Sequence, residues 1–148
     1  MIYFVDEDHR KLRALISELK FSGYESKVIK DANSAYEELS IVPINDVDIV
    51  ILDVMLAANL EVNENRYSRE RTDDFHKTGL LLLDDLVKAN PSVFPKKAIF
   101  FTHASSQTLL AHIRSNVEKH NTLYLRKKDF NTALEFSSKV VEIIESMG

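Results

Sequence analysis

The chain has 148 residues, of which 45% are hydrophobic and 28% charged, a length and balance that predict a single globular domain with its own core. It has no cysteine, no secretory signal and no apolar run long enough to span a membrane, so we expect a cytoplasmic protein without disulfides or thiolate metal sites. The formal net charge of −4, without a basic stripe, argues against nucleic-acid binding by this domain alone.

Five short segments are predicted to be strands. Four are apolar runs rich in β-branched and aromatic residues, which is typical of strands buried on both faces of a parallel sheet. A fifth segment, Glu25–Ile29, is more polar and is expected at the sheet edge. The four apolar runs are Ile2–Val5, Ile49–Leu52, Ala98–Phe101 and Leu123–Leu125.

Helical patterns separate these strands. The first covers His9–Phe21, where leucine and isoleucine recur at helical spacing, and a shorter helix follows Asp31. A third helix carries a broad leucine stripe after Gly79 and ends at Asn90-Pro91, because the residue before a proline disfavours helical geometry.

Two further helices complete the alternation. Ser105 or Ser106 is expected to cap the fourth helix. The fifth begins at Thr132, whose spacing to Glu135 predicts a capping box. Its predicted buried residues are Leu134, Val140, Val141 and Ile144. Five strands alternating with five helices predict an α/β fold with a doubly wound parallel sheet.

Polar side chains stand at four predicted strand ends, which in open α/β sheets meet at the ligand-binding edge. Each has an ordinary structural explanation: an acid such as Asp8 can cap a helix, and lysines can serve solubility. Asp53 is harder to explain, because a carboxylate after a buried run is costly unless a cation or donors meet it. The four groups are Asp6-Glu7-Asp8, Asp53, Thr102 and Arg126-Lys127-Lys128.

The same segments resemble the four signature segments of response-regulator receiver domains, in the right order and over nearly the whole chain. The resemblance implies a flavodoxin-like three-layer sandwich with strand order 2-1-3-4-5. The matching segments are Val5–Asp8, Ile49–Asp53, Ile99–Thr102 and Tyr124–Lys127.

The resemblance also implies a phosphorylation chemistry. Asp53 would accept a phosphoryl group from a histidine kinase or phosphotransfer protein, forming an acyl phosphate. Asp6 and Glu7 match the acidic pair that holds Mg²⁺, and the backbone carbonyl of Met55 matches a further ligand. Lys127 would pair with Asp53 or its phosphate, with Lys128 as the alternative register.

A switch is implied as well. Thr102 would donate its hydroxyl to the phosphoryl group, and rotation of Tyr124 would follow. In the family the first helix, here 9–21, docks the kinase, and the face corresponding to residues 105–148 contacts a downstream protein or a second copy. Apart from its own phosphorylation and slow dephosphorylation, no enzymatic activity is expected. No effector domain follows the fifth predicted helix, so the chain acts by protein contact or belongs to a longer protein.

Besides the open lysine register, two features depart from the family pattern. His103 is bulky where a small residue is usual; it is interpreted as a loop histidine, or as a group that narrows the site. Residues 57–78 form a long charged insertion, expected to be a solvated mobile segment or, alternatively, a partner-specific element or lid. Its Arg66, Arg69 and Arg71 are expected to pair within the segment, although they could reach a phosphate.

Apolar residues at Met55 and Ala104 predict a long-lived phosphorylated form, because polar side chains there would help position a hydrolytic water. Two other functions stay open: a degenerate receiver that serves as an unphosphorylated interaction module, and an aspartate-nucleophile phosphatase. The phosphatase is disfavoured because Met55 stands where such enzymes carry a second acid.

Overall fold

The computed structural model describes residues 1–56, 66–103 and 106–147. Five parallel strands form one sheet in the order β2-β1-β3-β4-β5, with helices on both faces, which confirms the predicted fold. The strands are β1 (Ile2–Val5), β2 (Ser26–Ile29), β3 (Ile49–Leu52), β4 (Ala98–Thr102) and β5 (Leu123–Arg126). The helices are α1 (His9–Phe21), α2 (Ala32–Leu39), α3 (Thr78–Ala89), α4 (Gln107–His120) and α5 (Ala133–Met147).

The core lies in two layers, one on each side of the sheet. Alternate residues of the central strands face opposite layers: Val50 and Leu52 pack towards α2 and α3, while Ile49 and Ile51 pack towards α1 and α5. This two-sided burial explains why β1, β3 and β4 are almost continuously apolar.

The two edge strands are more exposed. Among the described strands, β2 lies at one edge of the sheet and pairs with β1, as its polar sequence predicts. β5 lies at the other edge and pairs with β4, and Leu123 is 51% exposed, so the expectation that this run is buried on both faces is wrong. A three-residue apolar run cannot distinguish an edge strand from a central one.

Side-chain caps begin four of the helices. Asp8, Asp31 and Ser106 each accept a hydrogen bond from a backbone N–H in the first turn of α1, α2 and α4. Thr132 does the same for α5, but Glu135 accepts from the backbone N–H of Asn131 rather than Thr132. The predicted N-terminal caps are therefore present. In the capping box of α5, the contact from Glu135 goes to the residue before the cap instead of to the cap itself.

The buried stripe of α5 matches the prediction in part: Val140 is buried, Val141 and Ile144 are half-buried against the core, and Leu134 is exposed. Phe136, Val140 and Ile143 are buried at helical spacing, whereas Leu134 is 61% exposed. Leu134 lies two residues before Phe136 and so points away from the sheet. Phe136 instead stacks on Phe101, with ring centroids 4.3 Å apart.

Residues 66–77 of the insertion are held against α2 and α3, so the expectation of a mobile segment is wrong for them; 57–65 lie outside the described residues. Tyr67 is fully buried and donates its hydroxyl to Asp85 of α3 at 3.0 Å. Arg71 donates to both carboxylate oxygens of Asp85, at 2.9 and 3.0 Å. The guanidinium of Arg66 lies 3.9 Å from the ring centre of Tyr36 on α2.

Within the described ranges, no helix combines the length and the hydropathy needed to cross a membrane.

Candidate functional site

The candidate site lies where β1 and β3 end. Backbone hydrogen bonds continue the strand pairing one residue further, from Asp6 N to the Ile29 carbonyl at 3.0 Å and from Asp53 N to the Val5 carbonyl at 2.9 Å. Asp6 and Asp53 therefore occupy adjacent, rigid positions at the carboxyl edge of the sheet, where open α/β sheets bind ligands.

Lys127 joins the two carboxylates. Its ammonium nitrogen Nζ lies 2.8 Å from Oδ2 of Asp6 and 3.4 Å from Oδ2 of Asp53. The three side chains are only 14%, 6% and 13% exposed. Lys128 is exposed. The sequence left open whether Lys127 or Lys128 reaches the site, and the structure places Lys127 there. Lys127 belongs to a short 3₁₀ turn over Lys127–Asp129, which follows β5.

Burial governs the charge of Asp53. Loss of solvation and, to a smaller degree, the charge of Asp6 raise the pKa of Asp53 to about 6, although Lys127 opposes both effects. Burial alone would lower the pKa of Lys127, but the two carboxylates outweigh it and the pKa lies above its usual value. The site thus combines a charged lysine with a carboxylate whose ionised form is poorly solvated.

The residues predicted to hold Mg²⁺ come together only in part. Asp6 and Asp53 converge, but Glu7 is exposed, and no three His, Cys, Asp or Glu side chains of the described residues are placed to share a metal ion. Two carboxylates are sufficient in kind for Mg²⁺, which usually keeps several waters and binds phosphate oxygens. Asp6 and Asp53 therefore fit the ion, although Lys127 contacts both and Asp6 also accepts from the Asp8 N–H.

The two predicted switch residues lie on adjacent strands. Thr102 is the last residue of β4 and is buried. Tyr124 lies on β5 opposite Phe100 and is half-buried against the core layer that includes Leu109 of α4. These positions connect the carboxyl edge of the sheet with α4, and the switching roles of both residues remain predictions.

Gly79 supports the backbone of Asp53. Its N–H donates to the Val54 carbonyl at 2.8 Å. A Cβ at this position would lie 2.1 Å from the Asp53 carbonyl oxygen and 2.8 Å from the Val54 Cα. Only glycine permits this approach, which gives a physical reason for a glycine where the third helix begins.

His103 and the insertion arginines lie near the site without pairing with Asp53 in the described contacts. Partial burial lowers the pKa of His103, and the charge of Lys127 lowers it further, which favours the neutral imidazole. Arg69 pairs within the segment with Asp74, as expected, but Arg71 pairs with Asp85 of α3. The arginine contacts given by the structure thus hold the insertion rather than Asp53.

Comparison with known proteins gives fold-level likeness. No family model matches the sequence, and no curated protein matches it either. A CheY-like response regulator receiver domain protein from Methanospirillum hungatei JF-1 is 18% identical, with 99% of this chain and 94% of that chain covered and a TM-score of 0.66. The receiver domain of Francisella response regulator 1452 is 16% identical, with 99% and 98% covered and a TM-score of 0.66.

A third similar solved structure belongs to a family of redox sensors. It represents a family of redox sensors in the streptococci that evolved from two-component response regulators; it is 13% identical, with 98% of this chain and 51% of that chain covered and a TM-score of 0.68. The chain therefore has the fold of response-regulator receiver domains. At these identities the likeness concerns the fold, and function must be argued from the site.

Proposed function

We propose that this chain is a receiver of two-component signalling that accepts a phosphoryl group on Asp53. The observation that carries this proposal is the position of Asp53 beside Asp6 and Lys127 at the carboxyl edge of the sheet. The site offers a nucleophile, a charged lysine and two carboxylates for a divalent cation, which is the set that phosphoryl transfer to an aspartate needs.

The proposed step is an in-line displacement. A carboxylate oxygen of Asp53 attacks the phosphorus of a phosphohistidine, so that a P–O bond forms and the P–N bond breaks. The imidazole leaves with the electron pair of that bond and takes a proton from solvent. Lys127, already 3.4 Å from Asp53, stabilises the added negative charge. Asp6, Asp53 and the Met55 carbonyl would hold Mg²⁺, with Glu7 acting through water, and the ion would supply positive charge beside the phosphoryl oxygens.

The signal would leave through Thr102 and Tyr124. Movement of the Thr102 hydroxyl towards the phosphoryl group would free space for Tyr124 to rotate, which would change the surface formed by α4, β5 and α5. We propose that this surface, within residues 105–148, contacts the downstream protein or a second copy. Helix α1 would dock the histidine kinase or phosphotransfer protein, and the chain would catalyse no reaction beyond its own phosphorylation and slow dephosphorylation.

The test is incubation with phosphoramidate and MgCl₂, followed by intact-mass measurement. Wild type should gain one phosphoryl group, and Asp53→Asn should gain none. Asp8→Asn is the matched control and should still be modified. It alters an acid that lies two residues from Asp6 and that caps α1. Modification of Asp53→Asn to the wild-type extent would contradict the proposal.

The second candidate is a degenerate receiver that acts as an unphosphorylated interaction module. Two observations favour it: Lys127 already contacts both carboxylates, and Glu7 does not join them. In that case no phosphoryl group is added even at high phosphodonor and Mg²⁺. An aspartate-nucleophile phosphatase is disfavoured because the residue two positions after Asp53 is Met55.

A further inference from the structure

A cavity of about 410 Å³ lies beside the candidate site, between the insertion and α4. Its volume is within the range of pockets that hold small organic ligands. We propose that it binds a small organic anion with an aromatic or similarly flat apolar body. We call it the α4 cavity; its walls are formed by Met55, Asp73, His76, Lys77, His103, Ser106, Thr108, Leu109 and His112.

The chemistry of the walls favours this class of ligand. Met55 and the buried Leu109 offer apolar surface for a ring. Lys77 supplies a permanent positive charge, and Asp73 is the one carboxylate among the described lining residues. The imidazoles of His103 and His112 add donors that pair with acidic oxygens, whereas the histidines are not placed to share a metal ion. The polar contacts on offer therefore suit an anion better than a cation.

One wall is a constrained turn. Asp73, Asp74 and Phe75 have φ angles of 54°, 55° and 67°. Residues other than glycine rarely adopt this left-handed backbone conformation in succession. Hydrogen bonds hold it, from Asp74 N to the Arg69 carbonyl at 2.7 Å and from Phe75 N to Thr72 Oγ1 at 3.0 Å. Strained backbone that is fixed in this way is typical of ligand-binding sites, because binding requires that exact backbone geometry and the surrounding contacts offset the strain.

The histidine ring in this wall also has a defined tautomer. His76 Nδ1 lies 2.8 Å from the Asp73 carbonyl oxygen. A carbonyl oxygen only accepts, so Nδ1 carries the proton and donates it. Nε2 of His76 is then an acceptor in the neutral ring, and it donates to an acidic oxygen only when the ring takes up a second proton.

The five histidines of the chain allow ligand binding in the α4 cavity to be measured by NMR. His76, His103 and His112 line the α4 cavity, whereas His9 begins α1 and His120 contacts Asp84 at the end of α4. Phenylphosphonate is the probe, in metal-free buffer at fixed pH. Titration should shift the imidazole ¹H NMR signals of the three cavity histidines saturably, with His9 and His120 unchanged as internal references. Histidine-to-glutamine variants assign the signals.

Charge variants test the chemistry. Lys77→Met should weaken phenylphosphonate binding roughly tenfold, as for loss of a charge-assisted hydrogen bond. Asp73→Asn should tighten binding about two- to threefold, because it removes the opposing charge. Lys96→Met, an exposed lysine outside the cavity, is the matched control and should leave affinity unchanged.

Two smaller probes separate the contributions of ring and charge. Benzamide has the ring without the charge, and inorganic phosphate has the charge without the ring; both should bind at least tenfold more weakly than phenylphosphonate. Equal shifts at all five histidines, no saturation, or unchanged affinity in Lys77→Met would overturn the proposal. The experiment uses no phosphodonor, so its outcome is independent of whether Asp53 is phosphorylated.

Discussion

At the scale of single residues, the candidate site depends on a carboxylate that is costly to ionise. Asp53 is 13% exposed, and its nearest described cation is Lys127, which Asp6 holds at a shorter distance. A buried carboxylate in this position destabilises the native protein but is available to a phosphoryl group or a divalent cation. Stability and function are therefore opposed at Asp53.

This opposition gives a pH-dependent stability. Burial raises the pKa of Asp53 to about 6, above the ordinary value of 3.8, so the native state binds more protons than the unfolded state between these values. In metal-free buffer the contribution of Asp53 should make the free energy of unfolding fall as pH rises through that window. Asp53→Asn should therefore be more stable than wild type by roughly 2 kcal/mol above pH 7 and nearly equal below pH 4.

Urea denaturation of both proteins between pH 4 and 8 measures this difference. Asp129→Asn, at an exposed carboxylate in the turn after β5, is the control and should follow the wild-type profile. A difference between wild type and Asp53→Asn that does not change with pH would show that Asp53 is not buried as described.

Gly79 is a second residue whose substitution should be costly. Gly79→Ala should lower the free energy of unfolding by about 2 to 3 kcal/mol, because the new Cβ would overlap the Asp53 carbonyl oxygen. Gly23→Ala is the comparison: Gly23 has φ +92°, but no atom lies within 4 Å of the position that its Cβ would take, so only backbone strain of about 1 kcal/mol is expected. Equal losses in the two variants would show that Gly79 does not support the Asp53 backbone.

At the scale of elements, the insertion is the feature that sequence reasoning misjudged. The mixed charges of 57–78 suggested a solvated segment, but its three arginines have specific partners. Arg71 and Tyr67 both donate to Asp85, which is only 8% exposed. The signal that could have found this docking is a tyrosine within a charged stretch, since a large aromatic side chain favours burial.

The docking of the insertion can be tested with two arginine variants. Arg71→Met should cost about 2 kcal/mol and increase amide hydrogen exchange at Tyr67 and Thr72, because it leaves the Asp85 carboxylate poorly paired in a buried position. Arg69→Met, whose partner Asp74 is 65% exposed, should cost less than about 0.5 kcal/mol. Equal effects of the two variants on exchange would contradict the docking.

At the scale of the whole molecule, the lifetime of the phosphorylated state follows from the residues beside Asp53. Met55 is 38% exposed, close to the site, and cannot orient a water molecule by hydrogen bonding. Met55→Asn should therefore speed loss of the phosphoryl group by about tenfold, since one hydrogen bond that positions the attacking water is worth roughly 1.4 kcal/mol of the barrier. Phosphorylated protein freed of donor and followed by intact mass gives the rate, and a rate equal to wild type would contradict the water-positioning argument.

Much of the fold could be predicted because it depends on local patterns. The bounds of β1, β3 and α1 follow directly from apolar runs and periodicity. The prediction failed where a pattern has two meanings, as at Leu134, which fits an apolar helix position but lies off the stripe set by Phe136. Glu7 is exposed and does not join Asp6 and Asp53 in a three-carboxylate cluster of the described residues, because consecutive residues after a strand diverge, so its role at Mg²⁺ stays a prediction.

The most direct test of the account is to locate the phosphoryl group. Acyl phosphates are reduced by borohydride, so protein treated with phosphoramidate and MgCl₂, then with borohydride, should yield homoserine in place of the phosphorylated aspartate. Peptide mass mapping should find that change at Asp53, with none at Asp6 or Asp8. Reduction at another residue, or no reduction in protein that remains folded with Mg²⁺ present, would contradict the assignment of Asp53 as the phosphoacceptor.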